Sequence, residues 1–122
     1  MIIGIGSDIV KIARIYDACK NERFLNEYFG EDEKEFLRSK KNMAPSAANN
    51  FAAKEAFSKA LGTGVRGFSI REVEVLRDEL GKPYINLCGK AKCICDELGV
   101  KKIHVTLSNT DDDAVAFVVL EG

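Results

Sequence analysis

The segment Phe51–Gly64, FAAKEAFSKALGTG, decides the fold because its few polar residues are closely spaced within an otherwise small and apolar stretch. At about 100° per residue, a helix gathers its apolar side chains in one broad sector: Ala52, Ala53, Ala56, Phe57, Ala60 and Leu61. The opposite sector holds the polar residues Lys54, Glu55, Ser58 and Lys59. Gly62 and Gly64 lie at the end of this segment, and glycine readily adopts the positive φ that often ends a helix. The segment therefore predicts an amphipathic helix that ends near Leu61.

Glu55 and Lys59 lie one helical turn apart in the polar sector, and this spacing has two interpretations. Residues at i and i+4 form ordinary surface ion pairs that stabilise a helix by a few tenths of a kcal/mol. The same spacing would also place a carboxylate and an ammonium side by side in a functional site. Only a further unusual polar residue elsewhere in the chain distinguishes the two.

Asp8 is such a residue, because it lies inside the apolar N-terminal run Ile2–Val10. The run predicts a strand, in which aspartate is disfavoured and costly to bury without a partner. Asp8 therefore either requires a cation or a polar partner, or caps a short helix predicted over Val10–Cys19. The sequence leaves both interpretations open.

The rest of the chain predicts short helices and strands in alternation with turns. Further helices are predicted over Phe24–Phe29, over Glu31–Lys41 as a surface helix, and over Gly89–Leu98. Strands are predicted over Glu72–Arg77, Tyr84–Cys88, Ile103–Ser108 and Ala114–Leu120. The last of these is apolar on both faces, which is typical of a central strand. Because Pro45 suits a first helical turn, the central helix is expected to begin near Ser46.

These elements predict an α+β fold with one mainly antiparallel sheet built from local hairpins and a long central helix. The chain has 122 residues, which favours a single domain spanning 1–122.

The net charge of the chain is −1, which argues against a general nucleic-acid or membrane-surface function. No apolar run is long enough to span a membrane and no secretory leader is evident, so a cytoplasmic protein is expected. The cysteines form no C-x-x-C pair and are expected to be free and mostly buried: Cys19, Cys88, Cys93 and Cys95.

Four motifs follow one another along the chain: MIIGIGSDIVKIAR at 1–14, FAAKEAFSKALGTG at 51–64, GKPYI at 81–85 and IHVTLSNT at 103–110. Together they resemble the holo-acyl-carrier-protein synthase family, the small 4'-phosphopantetheinyl transferases of bacterial fatty-acid synthesis. The resemblance covers nearly the whole chain. It implies the 4'-phosphopantetheinyl transferase fold and transfer of 4'-phosphopantetheine from coenzyme A to a serine of apo acyl carrier protein. The products would be holo acyl carrier protein and adenosine 3',5'-bisphosphate.

The resemblance also implies roles for the unusual polar residues. Asp8 and Glu55 would hold Mg²⁺, an ion that takes one or two protein carboxylates together with substrate phosphates. Glu55, directly or through a water, would accept the serine proton, and Lys59 would stabilise the leaving phosphate. Lys54 would assist at the same anion.

Other residues of the motifs are expected to contact coenzyme A: Gly64, Lys82, Pro83, His104 and Thr106. Without the resemblance, the glycine-rich loop would be a simple turn and a lone strand histidine would most often be structural. A basic cluster contains Lys11, Arg14, Lys20 and Arg23. It is either a solvated helix face or, as the resemblance implies for Arg14 and Arg23, a docking site for the acidic helix of the carrier protein.

The resemblance further implies a homotrimer with active sites between adjacent subunits. Two positions depart from the commoner family pattern: Asn50 replaces an arginine that could bind nucleotide phosphates, and Asn109 replaces a histidine. Either departure would affect coenzyme binding rather than the reaction. Two other functions use the same residues, namely a Mg²⁺-dependent hydrolase of nucleotide diphosphates and a non-catalytic coenzyme A binding module.

Overall fold

The computed structural model describes all residues from Met1 to Gly122 and has the predicted α+β architecture. The strands are β1 (Ile2–Lys11), β2 (Val73–Arg77), β3 (Pro83–Leu87), β4 (Lys102–Asn109) and β5 (Asp113–Glu121). The helices are α1 (Ile12–Ala18), α2 (Glu22–Tyr28), α3 (Glu31–Arg38), α4 (Ala44–Ala60) and α5 (Gly89–Leu98), with a 3₁₀ turn at Ile70–Glu72 before β2. No helix is long and apolar enough to cross a membrane.

All strand pairs are antiparallel, as predicted, but they form two sheets rather than one. The larger sheet has the order β1-β5-β4, and β2 pairs only with β3 in a separate hairpin. The prediction of β5 as a central strand is confirmed. The single sheet was wrong because β3 and β4 lie side by side without forming a hydrogen-bonded ladder.

Helix α4 crosses one face of the three-stranded sheet and forms the centre of the hydrophobic core. Two glycines of β1 allow this close approach: a Cβ atom on Gly4 would overlap the carbonyl oxygen of Ala60, and one on Gly6 that of Ala56. The helix begins at Ala44, earlier than the predicted start near Ser46, and ends at Ala60 with Leu61 as its cap, as predicted.

The predicted polar sector of α4 was wrong for half of its members, because Lys54 and Ser58 are buried, whereas Glu55 is half-buried and Lys59 is exposed. Ser58 satisfies its hydroxyl by donating to the Lys54 carbonyl oxygen at 3.0 Å. Lys54 Nζ lies 2.6 Å from Glu33 Oε1 of α3 and 2.6 Å from the Val73 carbonyl oxygen. The helix is therefore covered on nearly all sides, with an internal ion pair where the pattern predicted solvent.

Helix α3 has an exposed face, as expected of a surface helix, but its inner face carries a buried charge that the pattern did not predict. Glu33 is fully buried and Leu37 packs in the core. The Glu33 carboxylate also accepts hydrogen bonds from the Asn50 amide at 3.1 Å and from the Val75 backbone N–H at 3.2 Å. Burial is the main factor that raises the pKa of Glu33, while the charge and hydrogen bond of Lys54 and the backbone N–H groups of Val75 and Gly30 oppose this shift.

The cysteines are free, as predicted, but the expectation that most are buried was wrong. Cys95 is buried and Cys19 is half-buried, whereas Cys88 and Cys93 are exposed. Cys88 lies at the start of α5 and Cys93 on its outer face. Cysteine is usually buried, but its residue type does not indicate which side of a short helix packs against the core.

The side of the three-stranded sheet that faces away from α4, which we call the open face, is unusually apolar. On it Ile5 is 71%, Ile9 65% and Phe117 55% exposed. The register places His104 and Thr106 of β4 on the same face, next to Val119 and Phe117 of β5. A continuous exposed patch of this kind commonly marks an interaction surface.

Candidate active site

The strand β1 and the helix α4 bring Asp8, Glu55 and Lys59 together, as the sequence predicted. Alternation along β1 turns Gly4, Gly6 and Asp8 toward the helix, and the two glycines hold the strand against it. Lys59 Nζ lies 3.0 Å from Asp8 Oδ1 and 3.0 Å from the Ser7 carbonyl oxygen. Asp8 therefore lies within the strand, and the alternative that it caps α1 is wrong, since α1 begins at Ile12 without a side-chain cap.

Glu55 is the unpartnered member of this group. It is half-buried, and its carboxylate forms neither an ion pair nor a hydrogen bond, so the simple surface pair with Lys59 does not exist. Burial, followed by the negative charge of Asp8, raises the pKa of Glu55, while Lys59 and Arg14 oppose the shift. A carboxylate whose pKa is raised and that has no partner is suited to accept a proton.

Asp8 and Glu55 could also bind a divalent cation whose remaining ligands come from a substrate. No cluster of three or more His, Cys, Asp or Glu residues is present that could hold a metal ion by itself. Mg²⁺ commonly uses one or two carboxylates and takes its other ligands from water and phosphates. The mutual repulsion that raises the pKa of Glu55 is the electrostatic condition that a cation between the two carboxylates would relieve.

Space for a ligand exists beside these residues. A depression of about 360 Å³ along the free edge of β1 is lined by Ile5, Gly6, Ser7, Lys59 and Phe117. It connects the surroundings of Lys59 to the open face, because Phe117 and Ile5 belong to that face. A larger cavity between α2 and the 3₁₀ turn contains Arg23 and Arg71 but none of the three site residues.

Lys54 does not belong to this group, although its neighbour in sequence does. Its side chain is fully buried, and its ammonium group contacts Glu33 and backbone carbonyl oxygens on the far side of α4. Burial is the main factor that lowers the pKa of Lys54. The predicted role of Lys54 at a substrate anion is therefore contradicted within this chain.

Of the other predicted coenzyme contacts, Lys82, His104 and Thr106 are exposed and Gly64 and Pro83 are half-buried, and they lie in separate places. Gly64, with φ of 68°, is in the loop after α4, and Lys82 and Pro83 are at the β2–β3 turn. His104 and Thr106 lie on the open face, on the opposite side of the sheet from Asp8. One chain by itself does not bring them to Glu55.

Asn50, where the commoner family pattern has an arginine, lies in the interior of the chain. Asn50 is fully buried and donates to Glu33 and to the Val75 carbonyl oxygen, while its own oxygen accepts from Arg77 at 2.9 Å. Sequence reasoning missed Glu33 and Arg77, since charged residues on a helix and a hairpin strand are usually solvated. Asn109 lies at the end of β4 and accepts from the Asn49 amide at 3.3 Å.

The basic residues of α1 and α2 are exposed. The Arg14 guanidinium lies over the Phe51 ring at 5.7 Å and is one of the charges acting on Glu55, so it borders the site. Arg23 pairs with Glu27 at 2.9 Å and Lys20 with Asp17 at 3.5 Å. Arg14 is therefore free of an acidic partner, whereas Arg23 and Lys20 are partly neutralised.

The sequence profile of the 4'-phosphopantetheinyl transferase superfamily matches residues 4–119. The chain belongs to this superfamily. Among its relatives, the holo-[acyl-carrier-protein] synthase of Caldanaerobacter subterraneus is 46% identical over 100% of this chain and 97% of its own length. The corresponding synthase of Clostridium botulinum is 47% identical over 99% of this chain and 98% of its own length.

Solved structures of transferases in this superfamily have the same fold. The holo-[acyl-carrier-protein] synthase of Neisseria meningitidis has a TM-score of 0.93 at 35% identity and covers 100% of both chains. That of Bacillus anthracis, in complex with coenzyme A (3',5'-ADP), has a TM-score of 0.82 at 33% identity, covering 98% of this chain and 96% of its own. That of Helicobacter pylori, in complex with coenzyme A, has a TM-score of 0.82 at 30% identity, covering 96% of this chain and 99% of its own. The predicted fold and family are thereby confirmed.

Proposed function

We propose that this chain is a holo-acyl-carrier-protein synthase that transfers 4'-phosphopantetheine from coenzyme A to a serine of apo acyl carrier protein. The observation that supports this best is the unpartnered Glu55 beside the Asp8–Lys59 pair, of which Lys59 also borders a depression of about 360 Å³. Relatives that match over the full chain are named for this activity. Coenzyme A is the bound molecule named for two of the similar structures.

In the proposed reaction, the serine oxygen attacks the phosphorus that bears the pantetheine group, and the bond from that phosphorus to the bridging oxygen breaks. Adenosine 3',5'-bisphosphate leaves with the bridging oxygen. Glu55 takes the serine proton, for which its raised pKa is suited. Lys59, an exposed ammonium one turn further along α4, stabilises the charge that develops on the leaving phosphate. Mg²⁺ held by Asp8 and Glu55 would neutralise the diphosphate.

The carrier protein is proposed to dock on α1 and α2 with its acidic helix. Arg14 supports this because its guanidinium is exposed, lacks an acidic partner and lies near Glu55. A carrier bound there would present its serine to the site. Arg23 is a secondary contact, since Glu27 competes for its charge.

The active enzyme is proposed to be a homotrimer with its sites between subunits. Within one chain His104 and Thr106 lie on the open face, away from Asp8, so they would complete the site of a neighbouring copy. The exposed apolar residues of that face would be covered in the same contact. Gly64, Lys82 and Pro83 remain proposed coenzyme contacts. The cytoplasmic location and the role in fatty-acid synthesis stay predictions.

The test is to incubate the protein with apo acyl carrier protein, coenzyme A and Mg²⁺ and to weigh the carrier by intact mass spectrometry. We expect a gain of one phosphopantetheine group, which EDTA abolishes. Glu55→Ala is expected to lower the rate by about 10²- to 10⁴-fold, the usual contribution of a positioned proton acceptor. Glu35→Ala, at an exposed carboxylate on α3, is the matched control and should retain full activity.

Two results would contradict the proposal. Cleavage of coenzyme A without any gain on the carrier would indicate the hydrolase. Binding of coenzyme A with neither cleavage nor transfer would indicate a non-catalytic binding module. Arg14→Glu separates docking from chemistry, since it should raise the KM for the carrier while leaving coenzyme A affinity unchanged.

A further inference from the structure

The only histidine of the chain has an acidic partner that the reaction above does not use. His104 Nε2 lies 2.8 Å from Glu121 Oε1, between neighbouring strands β4 and β5 of the open face. Both side chains are part exposed, at 55% for His104 and 41% for Glu121. Glu121 is therefore accessible in one chain and is held by a specific partner rather than by burial.

We propose that Glu121 is a positioning residue, which orients the imidazole of His104 toward coenzyme A. By accepting a hydrogen bond from Nε2–H, the carboxylate fixes the ring and leaves Nδ1 as the ring nitrogen that is available to a ligand. This inference rests on the proposed function, in which His104 contacts coenzyme A. It adds a residue that acts on the coenzyme only through His104.

The strand register explains why this pair is well placed to orient a ring. His104 is opposite Val119, and Glu121 is the next residue on the same face of β5, directly opposite Lys102. Both backbones belong to one hydrogen-bonded ladder, so the two side chains start from fixed positions. A mobile loop would not hold an imidazole with comparable precision.

The charges around the pair favour an ionised Glu121. The hydrogen bond from His104 is the first cause that lowers the pKa of Glu121, and the positive charges of His104, Lys102 and the Met1 amino group act in the same direction. A charged acceptor forms a stronger hydrogen bond than a neutral one. The ionised carboxylate thus holds the ring more firmly than a neutral side chain of the same size would.

A double-mutant cycle on coenzyme A affinity tests the proposal. Calorimetry is performed with coenzyme A on the full-length protein and on Glu121→Ala, His104→Ala and the double variant. We expect Glu121→Ala to weaken binding by about fivefold, which corresponds to one lost hydrogen bond. In the His104→Ala background the same change should have no further effect, because Glu121 acts through the imidazole. Steady-state kinetics should show a raised KM for coenzyme A with kcat within about twofold.

Two further variants distinguish a specific effect on coenzyme A affinity from a loss of folding. Glu121→Gln retains the size of the side chain and an acceptor oxygen, so it should show a smaller loss of affinity than Glu121→Ala. Glu97→Ala removes an exposed carboxylate of α5 and should not change the affinity. Circular dichroism of each variant establishes that the fold is retained.

The hydrogen bond itself is tested without any substrate. Titration of the Glu121 carboxyl carbon by NMR should show that its pKa rises toward the ordinary value in His104→Ala. An unchanged pKa would overturn the inference. An equal loss of affinity on removing Glu121 with and without His104 would overturn it while leaving the proposed function intact. A wild-type protein that does not bind coenzyme A would overturn both.

Discussion

Glu55 and Lys54 are adjacent in sequence, yet they have opposite chemical environments. Glu55 is half-buried and lacks a partner, whereas Lys54 is fully buried and is paired with Glu33. Successive helical residues point about 100° apart, so one faces β1 and the other faces α3 and β2. The same helix thus provides a reactive carboxylate on one side and an internal anchor on the other.

A stability measurement at the residue scale follows from the raised pKa of Glu55. Because the folded state binds this proton more tightly than the unfolded chain does, ionising Glu55 costs stability as pH rises from the unfolded pKa, about 4.3, through the raised folded value. Without metal, this cost is fully present once the pH exceeds the raised folded pKa. Glu55→Gln is therefore expected to raise Tm by a few degrees, equivalent to less than about 1 kcal/mol because the side chain is part exposed.

Thermal melts of the two proteins at pH 7 and pH 4, with EDTA, measure this effect. The advantage of Glu55→Gln should shrink at pH 4, where the wild-type carboxyl is protonated in the folded state. A variant that is less stable than the wild type at pH 7 would contradict the assignment of Glu55 as an unpartnered carboxylate.

The contact between β1 and α4 forms the site at the element scale. Gly6 lets the strand lie directly against the helix backbone, because a Cβ atom there would overlap the Ala56 carbonyl oxygen. This places Asp8 and Lys59, which are distant in sequence, at a separation of 3.0 Å. Function thus depends on a close approach of backbones as much as on the reactive side chains.

Gly6→Ala is expected to destabilise the fold by about 1–3 kcal/mol, since the strand must move away from the helix to accommodate the methyl group. Transfer activity should fall further than stability alone explains, because the Asp8–Lys59 distance increases. Urea unfolding and the carrier mass assay measure the two effects. Gly99→Ala is the control: its φ of 79° is strained for alanine, but the space around it is open. It should therefore cost about 1 kcal/mol and leave activity intact. Equal activities of the two variants would contradict the role of this contact.

The open face determines how the whole molecule is expected to assemble. Its exposed isoleucines and Phe117 lie beside His104 and Thr106, which are the residues that one chain fails to bring to Glu55. Covering the face with a neighbouring copy would bury the apolar side chains and complete the site at once. Stability, assembly and activity should therefore change together when this face is altered.

Phe117→Lys is expected to convert the proposed trimer into monomers, because a charge at this position would be buried without a partner. Light scattering after gel filtration measures the mass, and the carrier assay should show a loss of at least about 10²-fold with the secondary structure retained. Leu80→Lys replaces a leucine that is 96% exposed in the β2–β3 turn, so it should affect neither property. A monomeric wild-type protein with full activity would exclude sites shared between subunits.

The sequence by itself determined the features that depend on local pattern. The glycines after Leu61 ended α4 where predicted, the apolar run of β5 indicated a central strand, and Asp8 in an apolar strand indicated a polar partner, which is Lys59. The four motifs also indicated the superfamily that the comparisons confirmed. Such features are set by residues within one segment, so their periodicity and turn chemistry are sufficient to predict them.

Only the tertiary structure decided which charges are internal and which partners they choose. Lys54 looked like a surface residue because the carboxylate that neutralises it, Glu33, belongs to another helix. Lys59 had Glu55 one turn away, yet it bonds Asp8, because β1 lies against α4 on that side. The separation of His104 from Asp8 likewise follows from the sheet register. Burial and charge pairing depend on residues of different segments that meet only after folding. They therefore cannot be predicted from the periodicity of one segment.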